Sequence, residues 1–380
     1  MKKYSFFNKI KRQLISPSRP STVLLSDILH SLTKPFINKP IHKPSNYYFS
    51  DQPIAIYDLR CSPITYDFAM FLYEAECFFK SKNYDFFHVI IIPNLPGPDY
   101  LEPTWQETTG YNKIITETHQ NQRIFNLLLP LASMYQACKS VNLIHEVNII
   151  QSICSKNNKI FPSNYDGFFL RTLCYQKIYK YEKSKIFFFG LKAQSTDLDQ
   201  IKKWLTFNEI QQPFVSFTIR NYQHQYKRNS NIEAYLKFSE YLENFGIASV
   251  FVPDTDNPWN DNLDFSQFPI FWAGTFNLYQ RQALYEIALT NIFPSSGVAA
   301  LCWLNHSCSF IHSGICNEAY PENTGMKLHK SRGQNYGDQP FCENRGIIEW
   351  GAESFDSLKK SFDILLTKNP NLLELKIMNK

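Results

Sequence analysis

A Pro-Ser-Ser-Gly turn at residues 294–297, set between an apolar run and a stretch of small residues, is where this 380-residue chain concentrates backbone chemistry. A helix opening there would present unpaired N–H groups and partial positive charge, which together make a seat for phosphate. Ser295 or Ser296 would cap that helix, and Gly297 would let a ligand approach its first turn. An ordinary capped helix in an α/β protein reads the same way, so the turn gains meaning only from its neighbours. Two polar clusters in the same half of the chain are candidates to converge on it. One runs from Arg220 to Asn231 and includes Asn221, Arg228, Asn229 and Ser230; the other is Pro253, Asp254 and Thr255. Both begin where an apolar run ends. In the first half, Arg60, Ser62 and Thr65 stand in the same relation to the run at residues 54–59, and Arg123 lies near a helix start. Gln339 follows a Gly- and Asn-rich segment, residues 325–337, that fits either a site loop or a plain surface loop.

These residues need strands to carry them. Ile54 to Leu59 reads as a strand, Tyr66 to Lys80 as a helix, and FFHVIII (Phe86 to Ile92) as a strand covered on both faces. That is a βαβ unit, and ligands of such sheets gather beyond the carboxyl ends of the strands. A polar loop from Asn94 to Thr109, a helix from Gln122 to Met134 and a strand from Val141 to Val147 follow, and Lys183 to Gln194 reads as the crossing between halves. The second half repeats the style. Strands are expected at Pro213 to Ile219, Ala248 to Val252 and Phe268 to Trp272, with helices at Ile232 to Phe245, capped by Asn229 or Ser230, at Leu278 to Ala288, and at Phe355 to Leu366. The fold class expected is α/β: two Rossmann-like doubly wound domains, residues 51–195 and 196–380, facing a cleft, behind a basic arm at residues 1–50.

Composition narrows the field. With 44% apolar and 19% charged residues the chain is globular, and a net charge of +5 is too mild for a dedicated nucleic-acid binder. Nine scattered cysteines form no CxxC and no zinc ribbon, so reduced thiols are expected. No apolar run approaches the ~20 residues of a membrane span, and the N-terminus lacks the apolar core of a signal peptide. A cytoplasmic protein is therefore expected. Residues 1–50 carry nine Lys or Arg and a single acid, Asp27; with Phe6, Phe7, Ile10 and Leu14 between them, they would serve either as a solvated arm or as a peripheral contact with the inner face of a membrane.

The stretches FTIRNYQHQYKRNSNIEAYLKFSEYLENFGIASVFVPDTD and NIFPSSGVAALCWLNHSCSFI resemble segments of GT-B glycosyltransferases of bacterial surface-polysaccharide synthesis. The second is similar to the Asn-Asp-Ser/Thr-Gly-Pro turn of heptosyltransferase-like enzymes, although its Asn and Gly are spaced differently and it lacks the acid. No Glu-x(7)-Glu signature of the retaining families is present. The resemblance implies a glycosyltransferase that moves a sugar from a nucleotide-sugar donor to a glycan or lipid-linked acceptor, with no cofactor and no bound metal. It implies that the departing diphosphate is stabilised by basic side chains and helix N-termini. Arg220 and Arg228 are then the phosphate ligands, since a guanidinium grips phosphate oxygens in pairs; Pro253, Asp254 and Thr255 line the base or ribose. An inverting member would also need a base, for which Asp58, Asp67 and His88 are candidates in the first half and His306 and His312 in the second. Two other readings fit the same architecture: a nucleotide-sugar 2-epimerase, and a nucleotide- or carbohydrate-binding protein without catalysis. A dinucleotide-binding dehydrogenase is excluded by the lack of GxGxxG after any strand.

Overall fold

The computed structural model describes residues 51–94, 117–163, 165, 175–210, 213–223, 225–255 and 268–372. The basic arm and nearly all of the expected 94–109 loop lie outside the described residues. Residues 51–380 form one compact unit containing two separate, wholly parallel sheets.

The four-stranded sheet, in order β3-β2-β1-β4, is built from β1 (Ile54–Asp58), β2 (Phe87–Ile92), β3 (Cys138–Leu143) and β4 (Ile160–Phe161). IAIYD is buried throughout and FHVIII at every residue but His88, as in strands covered on both faces. The strand expected from Val141 begins earlier, at Cys138, and Val147 opens a helix instead. The five-stranded sheet, in order β6-β5-β7-β8-β9, holds β5 (Phe214–Asn221), β6 (Ala248–Thr255), β7 (Thr290–Phe293), β8 (Phe310–His312) and β9 (Gly346–Ile348). Both β5 and β6 run further than expected, so Arg220 and Asp254 are paired strand residues rather than loop residues. The strand expected at Phe268 to Trp272 is a single bridge, Phe251 to Ile270, because Trp272 already turns into a short helix. Within the expected 325–337 loop lies a further helical segment, Met326–Ser331.

Helix α1 (Asp67–Lys80) follows β1 and is buried on nearly every side. Its Tyr73 ring meets Phe188 of the crossing segment at 5.0 Å and Phe341 of the second half at 5.2 Å, so α1 is shared by both sheets' cores. Accordingly one hydrophobic cluster runs from Tyr57 and Phe71 through Tyr285 to Leu301 and Trp350. A second cluster fills the other face of the five-stranded sheet, where Phe217 packs with Tyr235 and Phe238 of α2 (Ile232–Glu243), and Phe238 in turn meets Phe362 of α3 (Phe355–Lys368). The crossing segment is tied down at Gly190, where φ is +69° and a Cβ would run into the Leu304 carbonyl, so no side chain is admitted. Among the described residues no helix is long and apolar enough to cross a membrane, and the eight described cysteines are free.

Candidate functional site

In the five-stranded sheet the chain reverses its direction of winding between β5 and β7. Helices leave the two sides of such a point in opposite directions, and the crevice they leave is where open α/β sheets hold ligands. A cavity of about 320 Å³ lies there. Parallel register sets Arg220 beside Asp254 and Phe293 beside His312, so the groups at these strand ends face one edge together. Arg220, Tyr222, Arg228, Asp254, Ser295, Ser296 and Gly297 line the cavity from this sheet. From the other sheet, the turn after β1 brings Thr65, Tyr66 and Asp67, and Arg123 joins them.

Arg220 is 7% exposed and works on its own loop. Its Nη1 donates to the Gln225 carbonyl at 3.3 Å and to Asn229 Oδ1, its backbone N–H donates to Ser230 Oγ at 3.0 Å, and its guanidinium carbon stands 4.9 Å from the Tyr222 ring centroid. Asn229 and Ser230 therefore fold the loop back onto the strand. They do not cap α2; Asn231 does so, accepting from the Ala234 N–H at 3.2 Å. Arg228 ties that loop to the 294–297 turn: Nε and Nη2 both donate to the Ser295 carbonyl, at 3.2 and 2.6 Å, while Nη1 donates to Gln225 Oε1 at 2.5 Å. A fork closed on one carbonyl fixes the turn's position more tightly than a single bond would.

The turn differs from its expected form. The helix after it spans only Ala299–Trp303, its N-cap is Val298, and no side chain caps it. Neither serine acts as the cap; Ser296 Oγ is buried without a hydrogen-bond partner. Gly297 makes room for Tyr66, since a Cβ at this position would lie 2.8 Å from the Tyr66 ring. Tyr66 thus carries the first sheet's edge onto the second sheet's turn.

On the β6 side, Asp254 pairs with Arg281 at 3.1 Å. Arg281 is 2% exposed and also donates to the carbonyls of Gly274 at 2.6 Å and Pro253 at 2.9 Å. Burial lowers its pKa, but Tyr285, Tyr66 and Asp254 outweigh that and hold it raised, so the guanidinium stays charged. Asp67 accepts hydrogen bonds from Thr65 Oγ1 at 3.0 Å and from the Tyr175 hydroxyl. Among the described residues of the cavity lining, Arg123, Arg220, Arg228 and Arg332 stand with two carboxylates, Asp67 and Asp254. Asp254 is already neutralised by Arg281, so the net field favours an anionic ligand. Among the described residues no group of three His, Cys, Asp or Glu side chains is placed to hold a metal ion.

Several expected site residues are not among those lining the cavity. Asn221 and Thr255 end their strands opposite one another, and Pro253 spends its carbonyl on Arg281 and Thr275. Arg60 forms a buried pair with Asp58 at 2.7 Å, and Ser62 closes the same turn through its N–H to the Asp58 carbonyl. Gln339 is bonded to both N–H and C=O of Ile348, extending β9. His88 shares 2.8 Å with Ser140 within its sheet, and burial lowers its pKa. His306 meets the Phe188 carbonyl at 2.8 Å beside the crossing segment. Asn291 is held in β7 by the Ser309 and Tyr285 carbonyls, each at 2.9 Å. Conversely Tyr66, Arg281, His329 and Arg332 were not marked by any sequence pattern: each is one polar residue on an otherwise ordinary helix or loop.

No protein-family model matches the chain, and neither does any curated protein sequence. Solved structures do. The chain is similar to the glycosyl transferase family 9 protein of Veillonella parvula, at 11% identity and a TM-score of 0.47 over 85% of this chain and 98% of that one. It is similar to E. coli ADP-heptose LPS heptosyltransferase II at 10% identity and a TM-score of 0.45, covering 83% and 99%. The Methanocaldococcus jannaschii UDP-GlcNAc 2-epimerase follows at 13% identity and a TM-score of 0.32, covering 83% and 94%. The first two are the group to which the sequence resemblance pointed.

Proposed function

We propose that the protein is a glycosyltransferase that takes a sugar from a nucleoside-diphosphate donor and passes it to a glycan or lipid-linked acceptor. The observation that carries this is the basic cavity at the reversal between β5 and β7, with Arg220 at a strand end and Arg228 fixing the turn at Ser295. Two guanidinium groups beside a pair of open strand ends suit a diphosphate. In the transition state negative charge builds on that group, and fixed cations in a partly dry site stabilise it without reorganising. Asp67 is the first half's carboxylate in the cavity, and two hydroxyls hold its orientation. It is therefore our assignment for the base that takes the acceptor's proton. Arg123 on the same side is suited to the acceptor or to the outer phosphate.

The test is calorimetric titration with UDP, GDP, ADP and CMP, followed by incubation with the sugar form of whichever binds. Release of free sugar, lost in Asp67→Asn while nucleotide binding persists, is the expected result. Binding without turnover would favour a carbohydrate- or nucleotide-binding protein, and binding of none of the four would overturn the reading.

A further inference from the structure

Asp67, the base of the proposed reaction, is oriented by two hydroxyls of unequal reach. Thr65 belongs to its own turn: its Oγ1 donates to Asp67 Oδ2 at 3.0 Å and accepts from the Asp67 N–H at 3.3 Å. Such a local bond travels with the turn and ties the carboxylate to nothing outside it. The other oxygen, Oδ1, accepts from the Tyr175 hydroxyl, 108 residues away. Among the described residues it is this bond that fixes the carboxylate against the rest of the fold. Burial first, then Asp67, raise the Tyr175 pKa while Arg332 opposes them, so the hydroxyl keeps its proton and donates.

Tyr175 is in turn placed by the second half of the chain. It opens the helix Tyr175–Lys183, and that helix is seated on the turn at residues 331–333. Gln176 Nε2 donates to the Ser331 carbonyl at 2.6 Å, and Lys183 Nζ to the Gly333 carbonyl at 3.4 Å. The Arg332 guanidinium carbon lies 4.4 Å from the centroid of the Tyr175 ring. The turn itself is firmly closed. Arg332 and Gln334 donate their N–H groups back to the Leu328 and His329 carbonyls at 3.1 and 2.9 Å, and Gly333 takes the φ of +84° that ends a helix. A cation over a tyrosine face is attracted by the ring quadrupole, which fixes the plane of the ring and hence where its hydroxyl points. Arg332, Tyr175 and Asp67 all line the cavity.

We infer that Arg332 is a positioning residue for the base: seated on Tyr175, it sets the hydroxyl that aims Asp67, so the second half of the chain governs the proton acceptor of the first. This rests on the proposed transferase reading. In the step concerned, the acceptor oxygen bonds the anomeric carbon and its proton passes to Asp67. The bond from that carbon to the nucleoside diphosphate breaks, and the electron pair leaves on the phosphate oxygen. Arg332 acts on these atoms only through the tilt of the carboxylate, and a base misplaced by about 1 Å can cost about a hundredfold in rate. The competing role, a plain phosphate ligand in the same cavity, predicts different kinetics.

The experiment measures sugar release, with water as acceptor, from UDP-glucose, GDP-mannose and ADP-glucose. The proteins are wild type, Tyr175→Phe, Arg332→Gln, Arg332→Lys and the double variant Tyr175→Phe with Arg332→Gln. Calorimetry gives each one's affinity for the matching diphosphate, and thermal melting shows that it is folded. At saturating donor, kcat should fall about ten- to a hundredfold in Tyr175→Phe and about three- to tenfold in Arg332→Gln, with KM and diphosphate affinity within about threefold of wild type. Arg332→Lys, whose ammonium still reaches the ring face, should recover part of the loss. The double variant should be no slower than Tyr175→Phe, because the hydroxyl through which Arg332 acts is already gone. Three results would overturn the inference and leave the donor reading standing: weaker diphosphate binding with unchanged kcat in Arg332→Gln, a double variant slowed by the product of the two single losses, or unchanged kcat in both single variants. Wild type that binds a diphosphate but releases no sugar would remove the base and this inference together, and wild type that binds none would remove the donor reading itself. Should Tyr175→Phe not fold, the kcat of Arg332→Gln against that of Arg332→Lys decides alone.

Discussion

Replacing Arg220 separates the two jobs that its position gives it. The side chain is almost fully buried at the end of β5, its Nη1 closes the following loop on Gln225 and Asn229, and the same guanidinium lines the basic cavity. Arg220→Ala removes a charge-assisted contact to a bound diphosphate, worth about 1.5–3 kcal/mol, which is about ten- to a hundredfold in dissociation constant. It also leaves the Gln225 carbonyl and Asn229 Oδ1 without their shared donor. Because that loop borders solvent, water takes over part of the loss, and about 1–2 kcal/mol of folding stability should go. Arg220→Lys restores the charge but not the fork, so binding should recover only in part. Titration of the three proteins with the preferred nucleotide gives the first number, and urea unfolding of the free proteins gives the second. Raising salt should weaken wild type more than Arg220→Ala, since screening acts on the lost charge. Equal nucleotide affinity in all three proteins would refute the assignment. A stability loss with unchanged affinity would make Arg220 a loop fastener alone.

Other sites give independent tests. Arg281→Met should cost about 3–5 kcal/mol in denaturant unfolding, because it strands the Asp254 carboxylate and the carbonyls of Gly274 and Pro253; a loss under about 1 kcal/mol would show the pair to be dispensable. Gly297→Ala should destabilise by about 1–3 kcal/mol through its clash with the Tyr66 ring, and a double-mutant cycle with Tyr66→Ala should recover most of that; no coupling would mean that the turn yields freely. His312 is held near a pKa of about 3 when folded, against about 6.5 when exposed, so as pH falls from about 6.5 toward 3 the unfolded chain takes up a proton that the folded one refuses, and stability drops. His312→Phe should flatten that part of the urea-midpoint profile between pH 7 and pH 5; parallel profiles would refute it.

How much of this was legible from the residues follows the range of the forces involved. The strands that carry Arg220 and Asp254, and the strand that leads into Ser295, show in the sequence because both-face burial demands near-continuous apolar runs. Their convergence follows from topology: parallel strands with right-handed crossovers put every carboxyl end on one edge. Details decided by a hydrogen-bond partner one or two residues away went less well. Asn229, Ser230 and Asn231 are all capable caps, and the choice of Asn231 depends on Arg220 having claimed Asn229 first. Likewise β3 starts at Cys138 rather than Val141 because pairing with β2, not local apolarity, sets its register.

The deepest omissions are contacts between distant parts of the chain. Gly297 looked like a glycine that spares room for a ligand, and steric room is indeed what it provides, but the group that fills it is Tyr66 from the opposite sheet. That contact changes what the cavity is. With Tyr66 seated on the turn, burial raises the pKa of its hydroxyl while the nearby Arg281 guanidinium opposes that rise, and the side chain joins the two sheets at the cavity. The same reasoning applies to His312. Its place at the end of β8 can be read from the apolar run before it, yet its contacts with Phe293 and Trp303 come from packing that no local pattern marks.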